Sequence, residues 1–122
     1  MTGDAALSVL HRITLVLADA DEEAQAAGKL ILDLAVDAET GLSSGPFPAF
    51  GRKGDFRQPD TLLPFTLMAD GRLDFGAFAP AAERADVLNI RRIRLVRDED
   101  VICTTAGGDT RYRILSIAPT AA

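Results

Sequence analysis

Between Lys29 and Ala38 every second residue is aliphatic: Leu30, Leu32, Leu34 and Val36 fall on one face, and Lys29, Asp33 and Asp37 on the other. A helix advances about 100° per residue and would scatter these four around its circumference. A strand sends successive side chains to opposite faces, so a period of two specifies an extended segment buried on one side. Such a segment needs neighbours for its backbone N–H and C=O groups. The rest of the chain is therefore read for further strands.

Residues Leu7 to Ala18 form an apolar run with the β-branched residues Val9, Ile13, Thr14 and Val16, and alternation at Leu7, Val9, Ile13, Leu15 and Leu17 favours a strand. A helical face through Ala6, Val9, Leu10, Ile13 and Leu17 stays open, and would turn a mainly β fold into an α+β one. Asp19 to Ala27 carries helix signals: Asp19 or Asp21 to accept the free N–H groups of a first turn, Glu22 and Glu23 for its dipole, and Gly28 to close it. Further strands are expected over Thr61–Met68 and Leu73–Phe78, joined by a tight turn at Asp70-Gly71. Pro80 to Arg84 can form one helical turn. A long strand is expected over Asp86–Arg97, where the alternation slips between Leu88/Ile90 and Ile93/Leu95 and predicts a bulge at Arg91-Arg92. Val101–Thr105 should pair with Thr110–Ile117 across Ala106-Gly107-Gly108-Asp109, leaving Ala118 to Ala122 as a frayed tail.

At 122 residues the chain is the size of a single domain, residues 1–122. The expectation is a single-domain, mainly β protein: an antiparallel sandwich or small barrel of about seven strands with one or two short helices. From Glu39 to Asp60 periodicity gives way to Gly, Pro and Ser, predicting a long irregular loop that is functional or mobile. No apolar run reaches the roughly 20 residues that cross a bilayer. The N-terminus has an acid, Asp4, where a signal peptide carries Lys or Arg. Eleven Arg against two Lys, with abundant Ala, suits a GC-rich bacterial gene, and the expectation is a cytoplasmic bacterial protein without membrane attachment.

Few residues of the chain are suited to catalysis or metal binding. One His and one Cys, His11 and Cys103, rule out a thiolate or imidazole metal site and leave no intrachain disulfide. Cys103 lies in the strand-like Val101-Ile102-Cys103-Thr104 and reads as a buried thiol. The acidic runs Asp19–Glu23 and Asp98–Asp100 lack the spacing of a calcium loop, and the chain has neither GxGxxG nor a P-loop. No catalytic residue, metal ligand or cofactor is assigned.

Two features stand out. Residues 1–39 hold eight acids and two bases, whereas residues 84–113 hold seven bases and five acids. Arg91, Arg92, Arg94, Arg97, Arg111 and Arg113 are expected on neighbouring strands, either pairing with acids of the same chain or meeting the acidic region of another copy head to tail. The long loop interleaves Phe47, Phe50 and Phe56 with Arg52, Lys53 and Arg57, which can anchor it to the sheet or present stacking and cation–π contacts to a partner. A net charge of −5 argues against nucleic acid as that partner.

Three segments resemble the phage head–tail adaptor (joining) family of small β-rich proteins. Leu10-His11-Arg12-Ile13-Thr14-Leu15 with Asp21-Glu22 and Gly28 is similar to its opening strand and acidic turn. Asn89-Ile90-Arg91-Arg92-Ile93-Arg94-Leu95 is similar to its basic strand, and Thr110 to Ile117 to its closing Y-x-I-x-S-I strand. The chain lacks the family's Trp after the first turn. The resemblance implies a ring-forming structural protein and transfers no catalytic residue.

The function expected is a non-enzymatic assembly or protein-binding module, a homo-oligomer or the binder of a protein partner. It would use strand edges, the six arginines and Phe47, Phe50 and Phe56 as contacts. The alternative is a small enzyme or ligand-binding protein, with an apolar pocket inside a β-barrel and residues 39–60 as its lid.

Overall fold

The structure, a computed structural model, describes residues 8–76 and 86–120. β1 (Ser8–Leu17) leads through α1 (Glu22–Ala27) to β2 (Lys29–Asp37), followed by β3 (Ser43–Ser44), β4 (Ala49–Gly54), β5 (Leu63–Leu67), β6 (Leu73–Asp74), β7 (Val87–Leu88), β8 (Asp100–Thr105) and β9 (Gly108–Pro119). The nine strands form one antiparallel sheet, ordered β6-β5-β4-β2-β1-β9-β8-β7, with β3 also paired to β2. The two ends of that order approach one another. Arg72 bridges Val87, the Leu73 N–H donates to the Asp86 carbonyl at 3.0 Å, and the Leu88 N–H to the Gly71 carbonyl at 2.8 Å. The sheet is thus nearly closed into a barrel, the arrangement that leaves fewest unpaired strand edges.

Binary patterning accounts for the interior. Leu30, Leu32, Leu34 and Val36 of β2 are all buried, and Ile13 and Leu15 of β1 and Tyr112 and Ile114 of β9 meet them inside. Burying one such side chain stabilises by roughly 1.5–3 kcal/mol, so this stripe supplies much of the folding free energy. The first segment is a strand, because only an extended β1 can pair with β2 on one side and β9 on the other. The helix forms where its signals lie: Asp21 caps it by accepting the Ala24 N–H at 2.8 Å, and Gly28 follows its end. Cys103 is buried within β8.

Several expectations are corrected. The segment 39–60 is no loop throughout: β3, β4 and a 3₁₀ turn at Pro59–Thr61 lie within it. β4 fills the side of β2 opposite β1, in register from Lys29↔Gly54 to Asp33↔Phe50. It escapes the period-two test because Gly51 and the cations Arg52 and Lys53 break the apolar alternation. Between β3 and β4 the chain passes through cis peptide bonds at Gly45-Pro46 and Phe47-Pro48.

Asp86–Arg97 is no long strand either. Only Val87–Leu88 pairs with β8, after which the chain turns repeatedly, with short bonds from the Ile90 N–H to the Leu88 carbonyl and from the Val96 N–H to the Arg94 carbonyl. A straight strand could face only one of the two out-of-phase apolar sets inward. Turning lets Leu88, Ile90 and Leu95 all be buried, with Ile93 packed against them. The bulge lies instead in β9, where Leu115 is extra between the pairs Thr14↔Ser116 and Leu15↔Ile114. The tail is also more ordered than expected: Ala118 and Pro119 pair with Arg12 and His11, and the Thr120 N–H donates to the Leu10 carbonyl. The helical turn expected at Pro80–Arg84, and the end of the strand expected over Leu73–Phe78, lie outside the described residues.

Candidate functional site

Antiparallel register fixes which features share an end of the barrel. The β2–β3 turn (residues 38–42) and the β5–β6 turn (residues 68–72) lie at one end; α1 and the β4–β5 connection lie at the other. Residues 89–97 cross the first end. The Asn89 N–H donates to the Ile102 carbonyl, the Leu95 N–H to the Gly41 carbonyl, and the Asp98 N–H to the Ile114 carbonyl, each at 2.8 Å. Arg91 pins the centre of this crossing. Its Nε donates to the Ser43 hydroxyl at 2.9 Å, its Nη1 to the Ala69 carbonyl at 2.6 Å, and its guanidinium carbon stands 4.3 Å from the centre of the Phe47 ring.

The six arginines therefore do not line neighbouring strands. Arg91 belongs to the fold. Arg111 and Arg113 are on β9 and meet Asp100 of β8, and Arg111 also bonds Asp19, so the basic and acidic regions neutralise one another here within one chain. Arg92, Arg94 and Arg97 are exposed, and none pairs with an acid among the described residues. Their neighbours Ile90, Ile93 and Leu95 anchor the backbone, so three cations stand on a fixed support. Arg94 lies beside Gly41, which turns at φ 73°. The acids on this end are Asp37, which accepts the Glu39 and Thr40 N–H groups, the exposed Glu39, and Asp70, which pairs with Arg72; the exposed Asp98 and Glu99 directly follow Arg97.

The three phenylalanines also part company. Phe47 lies under Arg91, and Phe56 faces Arg52 at 6.0 Å. Phe50 is 66% exposed on the outer face of β4. It sits in an open groove of about 550 Å³ formed mainly by outward-facing side chains of β1, β2, β4, β5 and β6. Register sets its central row: Arg12 opposite Asp33, Asp33 opposite Phe50, Phe50 opposite Thr66, and Thr66 opposite Asp74. Arg12 holds Asp33 through two bonds, at 2.9 and 3.0 Å, and this pairing raises the Arg12 pKa. Asp74 accepts the Gly76 N–H and pairs with no base among the described residues. Arg12, Asp33 and Thr66 were not singled out as site residues by sequence, although each lies on a strand that was expected.

At the opposite end a carboxylate–guanidinium cluster ties α1 to the β4–β5 connection. Buried Asp55 accepts the Arg57 backbone N–H, Nε and Nη2 at 2.9, 2.9 and 2.8 Å, and Arg57 reaches on to Glu23 at 2.9 Å. Arg57 hydrogen bonds hold the Asp55 pKa down to about 2 and lower that of Glu23.

Asp60, Asp70 and Asp74 do not converge into a carboxylate pair. Asp60 and Asp70 are exposed in turns, with Asp70 bound to Arg72, and only Asp74 lines the groove. Tyr112 is buried in the core, and His11 bonds the Val9 carbonyl through Nδ1 at 2.8 Å. Among the described residues no group of His, Cys, Asp and Glu is arranged to hold a metal ion, and no helix is long and apolar enough to cross a membrane. No family model, no curated protein and no solved structure matches this chain.

Proposed function

We propose that this protein is a non-enzymatic assembly module that binds a protein partner through the end of the barrel closed by residues 89–97. The observation that carries this reading is the exposure of Arg92, Arg94 and Arg97 around the buried anchors Ile90 and Leu95. Arginines on a pre-ordered backbone cost no further backbone ordering on binding, only that of their own side chains, and an acidic surface is their natural complement. The resemblance to the head–tail adaptor family supports the same reading through β1 and β9, the two of its three matching segments that are strands here. Poly-L-glutamate is a suitable probe, because the net charge of −5 would repel it from the rest of the molecule. Titration should show salt-sensitive binding that R92A/R94A/R97A abolishes while the circular dichroism spectrum is unchanged. Equal binding by the variant would overturn the assignment.

The groove supports a second reading. Its volume is in the range of small-molecule sites, and Phe50 offers a ring for stacking. Such a ligand would lie on the barrel wall rather than inside it, and β4 would form part of the site rather than a lid. A thermal-shift screen of aromatic small molecules, repeated with F50A, tests this: a shift lost in F50A supports it, and no shift for the natural sequence rejects it.

A further inference from the structure

The groove on the barrel wall carries its charges in balance. Two guanidinium groups, Arg12 and Arg52, and two carboxylates, Asp33 and Asp74, line it, so its formal charge is zero. Arg12 and Asp33 neutralise each other through their two hydrogen bonds. Arg52 and Asp74 are exposed and form no ion pair among the described residues: Arg52 faces the Phe56 ring at 6.0 Å, and Asp74 accepts the Gly76 N–H through Oδ1. Phe50 stands two residues from Arg52 on β4 and two strands from Asp74. At about 3.4 Å per residue and about 4.8 Å per strand, the Arg52 and Asp74 backbones lie roughly 12 Å apart. The exposed Phe50 ring and Thr66 lie between them.

That balance restricts the occupant. An anion meets Asp33 and Asp74, a cation meets Arg12 and Arg52, and a wholly apolar molecule would strip water from charged groups without replacing it. An added peptide strand has nothing to pair with, because β2, β4 and β5 beneath the groove are each paired on both sides. The complement is an uncharged molecule rich in hydroxyls, which donate to carboxylates and accept from guanidinium groups. It also needs a C–H face to lie on the negative face of an aromatic ring. A sugar ring has all of these. We infer that the Phe50 groove binds a neutral saccharide, with one pyranose ring on Phe50 and hydroxyls donating to Asp74 and accepting from Arg52. This rests on the groove reading above and names its ligand class. The distance between Arg52 and Asp74, shortened by the arginine side chain, accommodates one or two rings.

Amide NMR titration of the full chain tests this. The neutral probes are the methyl β-glycosides of glucose, galactose and N-acetylglucosamine, and cellobiose. Beside them stand the anion glucuronate, the cation acetyl-arginine amide and the uncharged aromatic indole. At least one neutral sugar should shift the Phe50, Thr66 and Asp74 amides in a saturable way. Phe50 and Asp74 are exposed, so F50A and D74N should fold, which the dispersion of their spectra verifies. F50A should weaken that sugar on the order of tenfold. The same sugar should bind the natural sequence more tightly than either charged probe, and D74N, which leaves one positive charge in surplus, should narrow its lead over glucuronate. No neutral sugar shifting these amides, unchanged binding by F50A, or tighter binding of a charged probe overturns the inference. If indole alone shifts them, the groove still receives a small molecule and only the saccharide is wrong. If no probe does, the groove reading falls as well.

Discussion

Gly51 tests how the barrel wall is built, because the space a side chain needs there is already taken. An added Cβ would stand 2.6 Å from Cζ of Phe65, 2.7 Å from the Ile31 carbonyl oxygen and 2.8 Å from Cβ of Leu32. Opposed Cβ atoms in an antiparallel pair are ordinarily about 4.5–5.5 Å apart, so β2 and β4 approach here as only glycine permits. The Phe65 ring can swing away, but the carbonyl and Leu32 Cβ are fixed by the β2–β4 ladder. Overpacking of a filled core costs about 1–3 kcal/mol, and two immovable contacts of three place G51A at the upper end. Restricting the unfolded chain returns about 0.4–1 kcal/mol. The net expectation is a loss of about 2 kcal/mol, which at a urea slope of about 1–3 kcal/mol per molar moves the unfolding midpoint down by roughly 1 M. Fluorescence of Tyr112, the single Tyr in a chain without Trp, reports the transition from inside the core. In an F65A background the ring overlap is gone but the other two remain, so G51A should retain more than half its cost. A G51A protein as stable as the natural sequence, with the same slope, would refute this account of the wall.

Three further outcomes are expected. Asp55, with its pKa lowered to about 2, contributes stability that is present above its unfolded value near 3.8 and lost as pH falls toward 2; in D55N, unfolding midpoints followed through that window should change less with pH. R91A removes two hydrogen bonds and the Phe47 stack and should cost about 2 kcal/mol in urea unfolding, with R91K recovering only part because an ammonium cannot reproduce the planar fork. D21A leaves the first turn of α1 uncapped and should cost about 1 kcal/mol, seen as faster amide exchange at Ala24.

The parts of the fold that were legible are those where local pattern and global burial demand the same thing. β2 was legible because alternate aliphatics can be buried together only on a strand, and α1 because an acid before and a glycine after a short polar segment satisfy helix ends whatever surrounds them. β4 was not legible: its place is held by the open flank of β2 and by the close approach at Gly51, neither of which has a local signature. In the 86–97 segment the out-of-phase apolar pairs were visible, but a bulge and a series of turns answer that pattern equally well. The choice was made by the barrel end, which needed Ile90 and Leu95 to cover it.

The candidate site divides along the same line. Residue types were readable: the arginines, the phenylalanines and the scarcity of catalytic groups are properties of composition. Which arginines remain available was a tertiary decision, because ion pairs and stacking depend on neighbours far away in sequence. Asp19 and Asp100 engage Arg111, Ser43 and Ala69 engage Arg91, and Arg92, Arg94 and Arg97 are left exposed. Phe50 came to lie bare in a groove because β1, β2, β5 and β6 were brought beside it by register. Sequence alone determined that this chain builds a one-sided, leucine-lined antiparallel sheet, since hydrophobic periodicity is written locally. Closure of the sheet, its end cover and the sorting of its charged groups required the tertiary structure, since each depends on contacts that exist only after distant segments meet.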